Sequence, residues 1–199
     1  MNFLEFLIDE NFNIRTPNGI KSLLNPKEAH ESIAITDLDT NETDIILSNG
    51  SPLTKITLFN YSFVRDLMNE DKGHLRHFGA RQTGTTTYAL LYALYKGIVQ
   101  DKGTVYMTFD NRALRNSQDM IRGILNASGK SSHVADKYIK FKSVSRYNTI
   151  RDSQSLRMYG NIIFDNCMYN TVSYDSLAYD DPSLKCHKDS KRIIEIVTG

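Results

Sequence analysis

The pattern of hydrophobic and polar positions changes near residue 58. Before that point, "MNFLEFLIDENF" spaces its apolar residues for a short amphipathic helix. "SIAITDLDTNETDIILSNGSPL" holds two β-branched runs, 33–36 and 44–47, and predicts a hairpin ended by the Asn49-Gly50 turn. Beyond 58, helix and strand signals alternate. Phe59, Phe63 and Leu67 recur at helical spacing over 59–69, and "HLRHF" (74–78) is strand-like. A helix is predicted over 84–100, starting on threonines and carrying Ala89, Leu90, Leu91, Ala93, Leu94 and Ile98. "TVYMTF" (104–109) predicts a buried strand. After it comes a helix capped by Asp110 or Asn111, with Leu114, Ile121 and Leu125 on one face. "YIKFKSV" (138–144), "NIIFD" (161–165) and "RIIEIVT" (192–198) predict three further strands. Such alternation is the mark of an α/β fold with a mainly parallel sheet, here expected to carry helices on both faces. The expected division is an N-terminal appendage of short helix and hairpin over 1–57, then the α/β domain over 58–199.

Composition narrows the function classes. A chain of 199 residues, 40% hydrophobic and 24% charged, suits one ordinary soluble domain. Its net charge of +1 offers nucleic acid no global attraction, so DNA contact would need a local basic patch. Cys167 and Cys186 form no Cys-x-x-Cys pair and are expected to be reduced thiols. Cys186-His187 lacks the further ligands a metal site needs. No apolar run approaches the roughly 20 residues of a membrane span, and the acidic N-terminus is no signal peptide. The expectation is a protein of the cytoplasm without a membrane partner.

The chemistry centres on "GARQTGTTT", residues 79–87. Gly79 and Gly84 are separated by four residues, between a predicted strand and a predicted helix. A phosphate-binding loop has this context, because loop amides and a helix N-terminus both offer positive potential to an anion. Thr86 occupies the place of the hydroxyl that holds Mg²⁺, and "NIIFDN" ends a core strand in Asp165, the form of the acid that supports the same ion. The pair implies a nucleotide site formed by Gly79, Ala80, Arg81, Gln82, Thr83, Gly84, Thr85, Thr86 and Thr87, with Thr86 and Asp165 as metal residues.

These motifs resemble the P-loop ATPase domain of phage large terminase subunits, an ASCE-type NTPase of RecA-like fold. That family's loop usually reads Arg-Gln-x-Gly-Lys-Thr, and Arg81, Gln82, Gly84 and Thr86 match it. "LFNYSFVRDLM" is similar to the family's adenine-recognition helix, with Tyr61 as the aromatic residue and Ser62 in place of glutamine. "IIFDN" is similar to its Walker B motif, and "IVTG" falls near the start of its coupling motif, a strand ending in Thr. The resemblance covers about residues 55–199. It implies ATP and Mg²⁺ as cofactors, and DNA or phage assembly proteins as further partners in an infected host cell.

Departures from the family fall on the chemistry. Thr85 replaces the lysine that reaches the β- and γ-phosphates, and Arg81 is the residue placed to restore the charge. Asn166 replaces the catalytic glutamate; an amide can orient a water but cannot take its proton. The resemblance therefore implies weak hydrolysis or none, with Arg81 and Asn166 as the catalytic candidates. The alternatives are a degenerate P-loop fold serving as a binding or assembly factor, and a DNA-associated accessory protein. Terminase large subunits continue into a nuclease domain, so this chain, stopping at Gly199, is not expected to package and cut DNA by itself. Lys137, Lys140 and Lys142 could touch phosphates, but a solvated strand face is their default. Tyr159, Tyr169, Tyr174 and Tyr179 read first as a Tyr-rich loop against the sheet edge, and the acids of 174–184 are alternative metal ligands near Asp165. His74, His77 and His133 have no partner pattern.

Overall fold

Five parallel strands form the centre of the computed structural model, which describes residues 1–17, 19–23, 31–34, 55–58, 61–69, 73–79, 84–144, 159–167 and 192–198. In chain order the described elements are α1 (Phe3–Glu10), β1 (Asn13–Thr16), β2 (Gly19–Ser22), β3 (Glu31–Ala34), β4 (Lys55–Leu58), α2 (Tyr61–Met68) and β5 (His74–Gly79). They continue with α3 (Thr85–Gln100), β6 (Thr104–Thr108), α4 (Asn111–Ala127), α5 (His133–Tyr138), β7 (Ile139–Ser143), β8 (Asn161–Asp165) and β9 (Arg192–Thr198). The sheet order is β5-β9-β8-β6-β7, so β9 lies between the glycine-loop strand β5 and the acid-bearing strand β8.

Alternation along these strands divides the core in two. Leu75, Ile194, Ile196, Ile163, Tyr106 and Ile139 face one side, where α1 through α5 all contribute to a single buried cluster. Val105, Met107, Ile162, Phe164 and Ile193 face the other and form a second cluster with Cys167. The expected helices are therefore seen on the first face; a helix on the second is not among the described residues. β6 and β8 are buried along their whole length, as parallel strands covered on both sides must be.

Local chemistry sets several element ends. Asn2 and Glu5 form a reciprocal capping box at the start of α1. Asp110 caps α4 by accepting from the Ala113 amide at 2.7 Å, as the sequence indicated. Burial of Arg192 lets its guanidinium donate to the Asn69, Asp66 and Leu67 carbonyls, covering the C-terminal end of α2 with a cation. On the second face the fully buried Glu195 of β9 accepts from Arg76 of β5 at 2.7 and 2.9 Å, with His74 at 3.0 Å, and so ties the edge strand down.

The N-terminal segment differs from expectation in one pairing. Glu31–Ala34 pairs antiparallel with Lys55–Leu58, whereas the expected partner, 44–47, lies outside the described residues together with Asn49-Gly50. Turn signals report local reversals, and a partner more than twenty positions away leaves no such trace. A hairpin not anticipated from the pattern, β1 with β2, precedes it. α1 itself joins the main core: Phe3 sits edge-on to Tyr92 of α3 at 5.2 Å, and Phe6 packs against Tyr95 at 5.6 Å.

Candidate functional site

The carboxyl ends of parallel strands are where open α/β sheets place ligands, and the two expected motifs meet there. His77, Ile196, Asp165, Thr108 and Ser143 share one level across the five strands, and Gly79 pairs with Thr198 two positions beyond. Gly84 adopts φ 74°, a left-handed conformation that glycine enters freely, and turns the chain into α3. From the first turn of that helix Thr86 donates its hydroxyl to Asp165 Oδ2 at 2.9 Å. The two residues are 79 positions apart in sequence.

Asp165 is the hub of a buried network. Tyr106, from β6, donates to the same oxygen at 2.7 Å, and Asn166 Nδ2 donates to Oδ1 at 2.8 Å. Burial pushes the carboxyl above the ordinary aspartate range, and the hydrogen bonds from Tyr106, Thr86 and Asn166 oppose that only in part. Such a group favours the protonated folded state, so its contribution to stability is full at low pH and is lost as pH rises through the raised value. Tyr106 is pushed well above its usual range by the same burial and by the neighbouring Asp165, so its hydroxyl stays a donor. Nearby, burial raises the Cys167 thiol to about 12 and leaves it protonated.

Asn166 is held more tightly than a free water-positioning group would be. Its backbone is left-handed, φ 55°, and its amide N–H donates to the Ile196 carbonyl at 2.9 Å. Its side-chain oxygen accepts from both the Thr198 amide, 2.8 Å, and the Thr198 hydroxyl, 2.9 Å. The side chain thus clips the end of β8 to the end of β9. With Oδ1 engaged twice and one Nδ2 hydrogen on Asp165, Asn166 can donate to a water but has no acceptor to draw a proton from it.

The other expected site residues divide by position. Gly79, Gly84, Thr85, Thr86 and Thr87 lie at the end of β5 and the start of α3, and Thr85 is buried there at 3% exposure. Ala80, Arg81, Gln82 and Thr83 lie outside the described residues. Tyr61 and Ser62 start α2, whose Phe63, Val64 and Leu67 bury it in the main core beside β5 and α3; Ser62 is half-buried. Tyr169, Tyr174, Tyr179 and the 174–184 acids lie outside the described residues, whereas Tyr159 packs at the margin of the second cluster. Lys137 stands over the Tyr138 ring at 4.6 Å, Lys140 is exposed and Lys142 is half-buried on the edge strand β7. Tyr106 and the clip between Asn166 and Thr198 were not anticipated from the sequence pattern. A tyrosine inside a wholly buried strand was the available signal, since its hydroxyl has to find a partner.

Among solved structures the chain is similar to the UvsW helicase from bacteriophage T4, at TM-score 0.52 and 9% identity, covering 98% of this chain and 85% of that one. No family model and no curated protein matches the sequence. At that identity the likeness is one of fold, and the fold is the α/β, RecA-like type of the P-loop NTPases. No helix among the described residues is long and apolar enough to cross a membrane.

Proposed function

We propose that this chain is a terminase-like P-loop protein of phage origin that binds ATP with Mg²⁺ and hydrolyses it weakly or not at all. The observation that carries the reading is the hydrogen bond from Thr86 to Asp165, which brings the loop-helix junction and the acidic strand end into one site. A fold shared with a phage helicase supports the nucleotide-binding class. The terminase relation rests on Arg81, Gln82, Gly84 and Thr86 of the loop and on Tyr61 of α2.

The donor chemistry fits Mg²⁺. Thr86 and Asp165 offer hard oxygen atoms, and the described residues hold no cluster of three His, Cys, Asp or Glu that would suit a softer or fully protein-held ion. Mg²⁺ commonly takes one or two protein oxygens and completes its shell with phosphate and water. When bound it would supply positive charge to the β- and γ-phosphate oxygens. The chain's own residues do the rest: the α3 N-terminus faces the phosphates, Arg81 provides a guanidinium, and Thr85 provides a hydroxyl without charge. A second reading, a non-hydrolysing P-loop fold used for protein binding or assembly, is favoured by the engaged side chain of Asn166.

Titration with ATP and Mg²⁺, followed by a phosphate-release assay, tests both. Saturable binding is expected, with turnover far below the roughly 1–10³ s⁻¹ of typical enzymes. Thr85→Lys combined with Asn166→Glu is expected to raise release by about tenfold or more, since single charge-stabilising groups carry effects of that size. A double variant that binds ATP yet stays inert counts against the loop alignment. No binding at millimolar ATP ends the nucleotide reading.

A further inference from the structure

Near the loop, the His77 ring carries a buried nitrogen that no described residue satisfies. It sits on β5 two positions before Gly79, at 8% exposure. Its ring packs on Phe63 of α2 at 4.3 Å, and Nδ1 faces Asp66 Oδ2 of the same helix at 3.6 Å. Nε2 is buried and has no hydrogen-bond partner among the described residues. An orphaned buried polar atom is destabilising, so a ring placed this way calls for a partner beyond the described residues.

The direction of Nε2 shows where that partner would come from. A Cβ built on Gly79 would stand 3.0 Å from His77 Nε2 and 3.6 Å from Thr85 Oγ1. Both atoms therefore border one spot, where the glycine loop leaves β5 and α3 begins. Gly79 has no side chain to fill it. Thr85 is the position at which a phosphate-binding loop carries lysine.

We propose that His77 is an anion-binding residue of the α3 N-terminal site, its Nε2–H donating to a phosphate group of a bound polyphosphate where the loop lacks its lysine. The inference rests on the nucleotide reading above and names a second residue, besides Arg81, that offsets the missing charge. A neutral ring with Nδ1–H toward Asp66 presents Nε2 as an acceptor, which an anion rejects; the protonated ring presents a donor. Burial lowers His77 below the usual histidine range, against the raising influence of Asp66, so the free protein holds the ring neutral near pH 7. Asp66 is the titratable group facing the ring from α2, while β9 presents Ile196 at that level and α3 presents Thr85. A bound phosphate favours the charged ring and raises its pKa, so binding takes up a proton.

The test uses the whole chain, with inorganic pyrophosphate and MgATP as probes. Calorimetry in two buffers of different ionisation enthalpy is expected to show proton uptake at pH 7. Affinity is expected to tighten by up to about tenfold per pH unit as pH falls from 8 to 6. The ¹⁵N signals of His77 should move to the imidazolium position when pyrophosphate is added. His77→Gln keeps a donor near Nε2 without the charge, and is expected to weaken binding about tenfold while losing the extra pH dependence; the ligand's own titration is common to both proteins. Binding without proton uptake, with unchanged imidazole signals, overturns the role of His77 and leaves the nucleotide site standing. So does affinity that is unaltered in His77→Gln but lost in Arg81→Ala. No binding of either probe at millimolar concentration and pH 6 overturns the nucleotide reading as well.

Discussion

Replacing Phe3 with alanine is expected to lower the unfolding free energy by about 3–5 kcal/mol, the range for a fully buried aromatic side chain. Phe3 is 1% exposed, stands edge-on to Tyr92 and lies 5.6 Å from Tyr95. Both tyrosines belong to α3, the helix whose first turn carries Thr86, so a cavity there loosens the scaffold of the site. Urea unfolding followed by circular dichroism measures the effect. Ile20, 57% exposed on β2, is the internal control, and its alanine variant is expected within about 0.5 kcal/mol of wild type. A Phe3→Ala loss below about 1 kcal/mol would mean that α1 does not belong to the core.

The second large effect belongs to Asn166. Asn166→Ala removes two hydrogen bonds from Thr198 and one to Asp165. It also places a residue less tolerant of positive φ at 55°. At about 1 kcal/mol for each net bond and a similar amount for the backbone, the expected loss is about 2–4 kcal/mol. Thr198→Val with the same exchange completes a double-mutant cycle, and a coupling of about 1 kcal/mol is expected for the hydroxyl bond. Additive single effects would show that the clip carries no energy. Asn166→Glu loses the same bonds and sets a carboxylate beside buried Asp165, pushing that group's pKa higher still. The double variant with Thr85→Lys therefore needs its folded fraction measured alongside its turnover.

Most of the sheet was legible because each strand announces itself locally. Apolar runs such as "TVYMT" and "NIIFD" fit only where both faces are covered, and β6, β8 and β9 fall where the pattern put them. Asp110 capped its helix for the same local reason. The loop and the acid could be read as motifs, and the fold then brought Thr86 to Asp165. What escaped depends on distant partners. Nothing in "MNFLEFLIDENF" names Tyr92, and nothing near 31–34 names 55–58. Tyr106 and Thr198 matter only because β8 lies between their strands. His77 could not be told from any other strand histidine until its ring was seen to face Gly79.

If the proposed function holds, loop 79–86 and Asp165 form one phosphate and metal site. A crystal grown with Mn²⁺ and a non-hydrolysable ATP analogue, measured at an anomalous wavelength, tests it most directly. Phosphates are expected at the N-terminus of α3, with a manganese peak beside Thr86 and Asp165. Nucleotide bound elsewhere, or a manganese peak remote from both residues, would contradict it.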